Sequence, residues 1–349
     1  MDTMDTVVLR GSPQARGIQQ GRALRERIQE HWELYRTQVY PSLPEAQVRP
    51  ILANMLGFLQ ERFPEVLEEL EGIAQGAGLD FEAVARVNFG GAIAAIIYSN
   101  SSPATGCSCV AFTDSPDGAI IGKNTDSVGM PELHYVLKIV VPDRGVPYIG
   151  YGDPGGPWVE AAINTDGLAI GQASSSIQRG QDGRGMPILH SLHLTMQYTS
   201  RTWQAVDFLG GIIHAGKCSN LMIADAEGEV VALERGYDRQ VVRMPEDGHL
   251  FFTNHVVSAE MQTAVIPSAS ASSMGRLERY QAIFANECPA HTIEGLRRVI
   301  SDHGRPASPC GHPGSEMCTR YACILVPRRR EMRLYRGPAC STPPESYFI

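Results

Sequence analysis

Apolar positions recur at three- and four-residue steps through the first part of the chain. Leu24, Ile28, Trp32, Tyr35 and Val39 make one stripe, with Arg, Glu and Gln between them. That spacing is the period of an amphipathic helix. Leu52, Leu56, Leu59 and Phe63 make a second stripe, which Pro64 interrupts and Leu67, Leu70 and Ile73 resume. Gly76 and Gly78 supply a stop, and residues 81–89 read as a further short helix. The pattern changes at Ser99. Residues 99–106, Ser-Asn-Ser-Ser-Pro-Ala-Thr-Gly, are small and turn-prone, the composition of a linker. From Cys107 a strand pattern takes over: Cys107 to Thr113, a turn at Asp114-Ser-Pro-Asp-Gly118, and a return strand from Ala119. Further strands are expected at 135–141, 148–151, 158–163, 168–172, 221–225, 230–234, 240–243, 320–326 and 331–335. Helices are expected at 187–198, 201–210, 275–286 and 292–300. Hairpins interleaved with a few long helices predict an α+β layered sandwich.

Composition narrows the class. At 349 residues and 43% hydrophobic the chain can bury a large core. Thirty Lys and Arg against 38 Asp and Glu leave a net charge of -8, which argues against a nucleic-acid partner. The longest apolar run, 89–98, is half of the roughly 20 residues a membrane helix needs, so no membrane association is expected. The first six residues lack a secretory pattern, and the eight cysteines are expected as free thiols in a reducing cytoplasm. Cys107, Cys109, Cys310, His312, Cys318 and Cys323 contain no paired C-x-x-C motif, and no metal site is expected. His303, Cys310 and His312 read as residues of a Gly/Pro-rich loop or of a site mouth.

The chemistry concentrates at Cys107, which follows Gly106 at the end of the linker. An internal cysteine has no base at hand. A cysteine that becomes the N-terminal residue has its own α-amine, with a pKa of about 7.7–8.0, to take the thiol proton. The thiol can attack the Gly106 carbonyl, and hydrolysis of the resulting thioester leaves pieces of 106 and 243 residues. Glycine at the attacked position has no Cβ in the way. A hairpin returns the chain to its own start, so Gly122-Lys-Asn-Thr-Asp126 is expected beside Cys107. Asp126 can hold the new ammonium; Lys123 or Asn124 can favour the thiolate. Phe251-Phe-Thr-Asn-His255 ends an apolar strand in an amide, and Asn254 can donate to an oxyanion.

These segments, in this order, resemble the N-terminal-nucleophile hydrolases with a cysteine nucleophile. The nearest likeness is to the C45 peptidase family, which includes the acyl-coenzyme A:6-aminopenicillanic acid acyltransferases; the choloylglycine hydrolases are a more distant likeness. The resemblance rests on Gly11-Ser-Pro-Gln-Ala-Arg-Gly17, Thr105-Gly-Cys107, Gly122-Lys-Asn-Thr-Asp126, Asn164-Thr-Asp-Gly-Leu-Ala-Ile170, Thr253-Asn-His255 and the C-terminal hairpin. It implies a four-layer αββα sandwich with residues 1–106 as a helical prosegment and 107–349 as the catalytic region. It implies Cys107 as nucleophile, Asp126 as the carboxylate that positions it, Asn254 as oxyanion donor, and Lys123 where choloylglycine hydrolases carry an arginine. Ser174-Ser-Ser176 stands where the bile-salt enzymes carry a pocket asparagine, which implies a different pocket. Asn124, Ser174, His255 and Arg320 are the candidates for substrate contact. The implied activity is acyl transfer from a small-molecule amide or acyl thioester to water or an amine acceptor. No cofactor is implied: acyl-coenzyme A would enter as substrate, and cleaved protomers could form a homo-oligomer. Two alternatives stay open: an uncleaved thioesterase or transferase using His255 or another base, and a non-catalytic member that binds a ligand.

Overall fold

The computed structural model describes residues 6–99, 105–127, 135–267, 269–312, 314 and 317–349. Most of the expected linker, residues 100–104, and Ser268 in the serine-rich loop lie outside the described residues. The first element is a strand that the helical reading of this region omits, β1 (Thr6–Gly11). Val7 and Leu9 are buried and Val8 is exposed, the two-residue period of a half-buried strand. Five helices follow: α1 (Pro13–Ala23), α2 (Arg25–Leu34), α3 (Glu45–Arg62), α4 (Pro64–Ala77) and α5 (Phe81–Tyr98). The Ser12 side chain caps α1 by accepting from Ala15 N, with Pro13 in the first turn. Pro64 interrupts the apolar stripe because it is the first residue of α4, where its missing N–H costs nothing.

Helices α1 and α4 cross at glycines. A Cβ on Gly17 would lie 2.1 Å from Glu69 O, and one on Gly76 would lie 2.5 Å from Ile18 O. The two backbones therefore touch, which no larger residue allows. Helix α5 runs nine residues past the expected end at Phe89, to Tyr98. Gly90 does not break it; a Cβ there would fall 2.1 Å from the Tyr35 hydroxyl, so the glycine makes room for that ring. By length and composition alone α5 is apolar enough to cross a membrane, longer than the ten-residue run read from the sequence, and 44% of it is buried inside the protein. Its Val84, Phe89 and Ile93 lie in the protein core.

Among the described residues the remaining strands form two sheets. The expected turn at 114–118 joins β2 (Thr105–Ser115) to β3 (Gly118–Ser127), with Gly118 at φ 79°. A meander then runs through β4 (Val136–Pro142), β5 (Tyr148–Gly152), β6 (Ala161–Asn164), β7 (Ala169–Gln178), β8 (Lys217–Ala224), β9 (Val230–Arg235) and β10 (Gln240–Arg243). β1 joins its edge, parallel to β4, so the first 106 residues contribute a strand to the sheet as well as helices. The second sheet has the order β11-β2-β3-β13-β14-β15, with β11 (His249–Phe252), β13 (Cys318–Val326), β14 (Glu331–Tyr335) and β15 (Glu345–Phe348). A two-residue strand, β12 (Val265–Ile266), pairs with β7.

The sheets face each other across one core, where Cys107, Cys109 and Ile121 meet Ile149, Ile163, Ala169 and Met222. α5, α6 (Ile188–Tyr198) and α7 (Thr202–Gly210) cover the outer face of the meander sheet. α9 (Ala271–Asn286) and α10 (Ile293–Ile300) cover the other through Tyr280, Ile283, Leu296 and Ile300; the short α8 (Ala259–Ala264) lies between β11 and β12 in the chain. The layers are helix, sheet, sheet, helix, the αββα sandwich expected from the sequence.

Candidate active site

Strand register sorts the candidate side chains onto two faces. Across β2 and β3, Cys107 lies opposite Thr125 and Cys109 opposite Lys123, whereas Gly106 lies opposite Asp126 and Ser108 opposite Asn124. Directly opposed residues share a face. Cys107, Lys123 and Thr125 therefore face the other sheet, and Asn124 and Asp126 face the helical layer.

Cys107 is buried, and its backbone is held at both ends of the residue. Its N–H donates to Asn254 Oδ1 at 2.7 Å, and its carbonyl accepts from Arg276 Nη1 at 2.6 Å. Arg276 Nη2 also donates to Asn254 Oδ1, at 2.8 Å. Both groups at that atom are donors, which fixes it as the amide oxygen. Asn254 Nδ2 donates to Ser174 O at 2.7 Å. The amide nitrogen carries two hydrogens, so one remains for an oxyanion. On the far side of the Gly106–Cys107 peptide, Asp126 Oδ1 accepts from Thr319 Oγ1 at 2.7 Å.

Four charged groups surround the thiol. Burial pushes Cys107 up, Lys123 pulls it down, Glu160 and Asp126 push it up, and Arg276 pulls it down. Burial also pushes Asp126 up, to about 6, against the pull of Arg276, Thr319 and Lys123. Burial alone would lower Lys123, but Cys107 and Glu160 outweigh it and hold the ammonium above the ordinary lysine range. Lys123 bonds Thr125 Oγ1, lies 3.6 Å from Glu160 Oε2 and sits over the Tyr321 ring. Glu160 accepts from Thr125 Oγ1 at 3.1 Å and from Tyr135 and Tyr321 hydroxyls, each at 3.0 Å. A buried ammonium is tolerable only with such a counter-charge and its hydrogen bonds.

The other expected contacts separate. Asn124 points away from the thiol and fastens Ile300 O at 2.7 Å and Pro309 O at 2.9 Å, so it is a brace of the loop after α10 and not a substrate contact. His255 Nδ1 shares a hydrogen bond with Ser273 Oγ at 2.8 Å, and Ser273 Oγ accepts from Asn254 N at 2.9 Å. His255 thus supports the turn that carries Asn254, and burial depresses its pKa. Arg320 donates from Nε to Ser127 Oγ at 2.7 Å from a bulge in β13, between Thr319, which pairs with Asp126, and Tyr321, which pairs with Thr125. Ser174 holds Asn254 through its carbonyl and also lines a cavity of about 280 Å³ with Asn88, Trp158, Ile188, Lys217 and Ser219. That cavity lies between α5, α6 and the ends of β7 and β8. A larger groove of about 470 Å³, beside His249, Phe251 and Leu277, has none of the residues around the thiol in its lining.

The sequence reading missed Arg276 and Glu160. Arg276 had a signal: Ser273, Arg276, Tyr280 and Ile283 form the buried stripe of α9, and a guanidinium in such a stripe demands a partner. Glu160 stands just before β6 with no periodic mark.

A profile of the family described as acyl-coenzyme A:6-aminopenicillanic acid acyl-transferase matches residues 113–310. The matched span contains Lys123, Asp126, Glu160, Asn254 and Arg276 and begins past Cys107. Among solved structures, the chain is similar to a Caenorhabditis elegans ortholog of N-acylethanolamine-hydrolyzing acid amidase, at 14% identity over 70% of this chain and 100% of that one, with a TM-score of 0.47. It is similar to a variant of conjugated bile acid hydrolase from Clostridium perfringens, at 11% identity over 70% and 97%, with a TM-score of 0.46. A third is penicillin V acylase from Agrobacterium tumefaciens, at 15% identity over 70% and 86%, with a TM-score of 0.45.

Proposed function

The chain belongs to the acyl-coenzyme A:6-aminopenicillanic acid acyl-transferase family, and from that premise we propose that it is a self-processing cysteine enzyme that moves an acyl group from a small amide or thioester to water or an amine. One observation carries the reading: Asn254 Oδ1 lies 2.7 Å from the Cys107 nitrogen while Asp126 pairs with Gly106 across the ladder. An amide and a carboxyl thus flank the peptide that must break.

In processing, the Cys107 sulfur bonds to the Gly106 carbonyl carbon and the C–N bond breaks. The thiol proton ends on the departing nitrogen, which becomes an α-amine. Water then hydrolyses the thioester, giving a Gly106 carboxylate and restoring the thiol. In turnover, the α-amine takes the thiol proton and the thiolate bonds to the substrate acyl carbon. The second Asn254 amide hydrogen donates to the oxyanion, and Lys123 and Arg276 favour the thiolate. The α-ammonium, held by Asp126 and Asn254, returns its proton to the leaving amine or thiol. Water or an acceptor amine then takes the acyl group from sulfur. The cavity beside Ser174 is the candidate acyl pocket.

The reading with an uncleaved chain and His255 as base has less support, because His255 is engaged with Ser273 and not with the thiol. The test is intact mass measurement of the purified chain. Fragments of 106 and 243 residues are expected from wild type, and an uncut, inactive 349-residue chain from Cys107→Ala. Full activity in an uncut wild-type chain would refute the processing step.

A further inference from the structure

Two segments far apart in the chain bring four metal-binding side chains to one point. His303, Cys310 and His312 come from the loop after α10, and Cys340 from the turn between β14 and β15. The Nε2 atoms of His303 and His312 are 2.9 Å apart, the sulfurs of Cys310 and Cys340 are 3.7 Å apart, and Cys340 Sγ is 3.4 Å from His312 Nε2. All four donor atoms fall within 4.8 Å of one another. The sulfurs stand well beyond the roughly 2.05 Å of a disulfide, so both remain thiols.

Three of the six separations can be set against the edges of a tetrahedral site. Zinc bonds of about 2.3 Å to sulfur and 2.0–2.1 Å to nitrogen put two sulfurs roughly 3.8 Å apart, a sulfur and a nitrogen roughly 3.6 Å apart, and two nitrogens roughly 3.4 Å apart. The sulfur pair and the mixed pair meet those values closely; the imidazole pair is the tightest. Two thiolates with two imidazoles is a ligand set of structural zinc sites and favours zinc over harder cations.

We propose that His303, Cys310, His312 and Cys340 form a closed Zn²⁺ site. Zinc binding would release the two thiol protons, giving a neutral four-ligand centre. With four protein ligands and no open position, its role is structural. It would staple the 303–312 loop to the C-terminal turn, in which Ser341 N and Thr342 N donate to Pro338 O. The loop is already shaped for this: Cys310 N and Gly304 N donate to Asp302, which Arg279 clamps through two bonds of 2.6 Å. The staple also reaches the reaction centre. Gly311, between two of the ligands, donates from N to Thr319 Oγ1 at 3.0 Å, and that hydroxyl donates to Asp126. Cys310 follows Pro309, whose carbonyl Asn124 holds. The metal would therefore fix the loop that orients Asp126. The sequence reading excluded a metal because it sought paired C-x-x-C motifs; here one ligand comes from 28 residues beyond His312.

Metal binding does not require self-processing and is tested on the full chain. Wild type, desalted and measured by elemental mass spectrometry, is expected to hold one zinc. After removal of the metal by chelator, added Co²⁺ is expected to give the visible bands of a tetrahedral thiolate complex. Cys340→Ala and His303→Ala should each bind metal more than about 100-fold more weakly, a larger loss than changes outside the ligand shell produce. Cys340→His keeps four ligands and should retain zinc, which guards against loss by misfolding. A wild-type chain that holds no zinc and takes up no Co²⁺ would overturn the proposal. Zinc content unchanged in Cys340→Ala and His303→Ala would overturn it as well, as would a Cys310–Cys340 disulfide in freshly purified protein.

Discussion

Asn254 accepts from the backbone nitrogen of Cys107 across 147 residues of chain, at 2.7 Å. The same oxygen accepts from Arg276, so one side chain ties the Cys107 nitrogen to a buried guanidinium. Asn254→Leu keeps the volume and removes both bonds and the spare amide hydrogen. The expected result is slower cleavage of the 349-residue chain and a fall in acyl-transfer rate of about 10²–10³, the cost of one oxyanion donor. Cleavage is followed by mass and transfer by turnover of a chromogenic amide. A variant within a few-fold of wild type in both would remove Asn254 from the machinery.

Asp126 gives the reaction its acid limb. Burial holds it at about 6 while the Cys107 nitrogen is still an amide. As the C–N bond breaks, the nitrogen gains positive character, which the ionised carboxylate stabilises better than the neutral acid. The self-cleavage rate should therefore rise as pH passes upward through about 6. Once the α-ammonium exists, its charge pulls Asp126 down, so the acid limb of turnover should fall at lower pH than that of cleavage. Asp126→Asn should abolish the acid limb of cleavage and leave turnover with only the limb set by its α-amine. Rate–pH profiles of cleavage and of kcat/KM check this, and coincident limbs would contradict it.

Lys123 has two jobs that a pair of variants can separate. It draws the Cys107 thiol down, and it neutralises Glu160. Lys123→Met leaves a carboxylate that is 12% exposed without its cation, which should destabilise the protein by less than the about 3–5 kcal/mol of a fully buried pair. Adding Glu160→Gln should restore much of that stability, since no charge is then stranded. The thiol should be less reactive in Lys123→Met, seen as a higher midpoint in the iodoacetamide rate–pH profile, with a smaller rise in the double variant, where the upward push of Glu160 is also gone. A midpoint unchanged in Lys123→Met would limit Lys123 to a structural role.

The sequence exposed Cys107, Lys123 and Asp126 because they lie on adjacent strands of one hairpin, where spacing alone dictates proximity. Asn254 was legible as an amide at the end of an apolar strand, since β11 pairs directly with β2. Arg276 and Glu160 were not, because helix α9 and the segment before β6 reach the thiol only through the stacking of layers, which no local period encodes. Asn124 has a different reason: the hairpin puts it near Cys107 in the chain, but strand alternation sends it to the opposite face. In the N-terminal region the stripes found the helices, and of the two glycines read as a stop Gly76 marks the close approach of α4 to α1. Gly78 is a real stop, at φ 71° after α4.

Those glycines differ measurably. Gly76→Ala places a methyl 2.5 Å from Ile18 O, a backbone atom that cannot swing aside. It should destabilise the protein by at least about 1–3 kcal/mol, the usual cost of overpacking. Gly57, in α3, has nothing within 4 Å of the added carbon, and Gly57→Ala should stabilise by about 0.5–1 kcal/mol through helix propensity. Thermal unfolding of the two variants in the Cys107→Ala background, where no cleavage complicates the transition, reads both. Equal effects would show that the α1–α4 crossing has room to spread.

Glu69 adds a buried charge to the attachment of the first 106 residues, beside the β1–β4 ladder. Its carboxylate, fully buried on α4, meets Arg16 of α1 at 2.6 Å and His193 of α6 at 3.4 Å, so one charge joins the N-terminal helices to the layer over the meander sheet. Burial would push Glu69 up, but His193 and then Arg16 outweigh it and hold the group at about 2, below its ordinary 4.5. A carboxyl depressed on folding lends stability above its unfolded pKa and loses it as pH falls through the folded value. The contribution should be whole above about 4.5 and drain away towards about 2. Glu69→Gln strands a buried guanidinium, so at neutral pH it should cost about 3–5 kcal/mol. The gap between wild type and variant should narrow as pH falls through that window, measured by denaturant unfolding at stepped pH. If cleavage occurs, the two fragments of the variant should also separate at lower urea than those of wild type. A constant gap from neutral pH to the bottom of the window would mean that Glu69 acts by shape and not by charge.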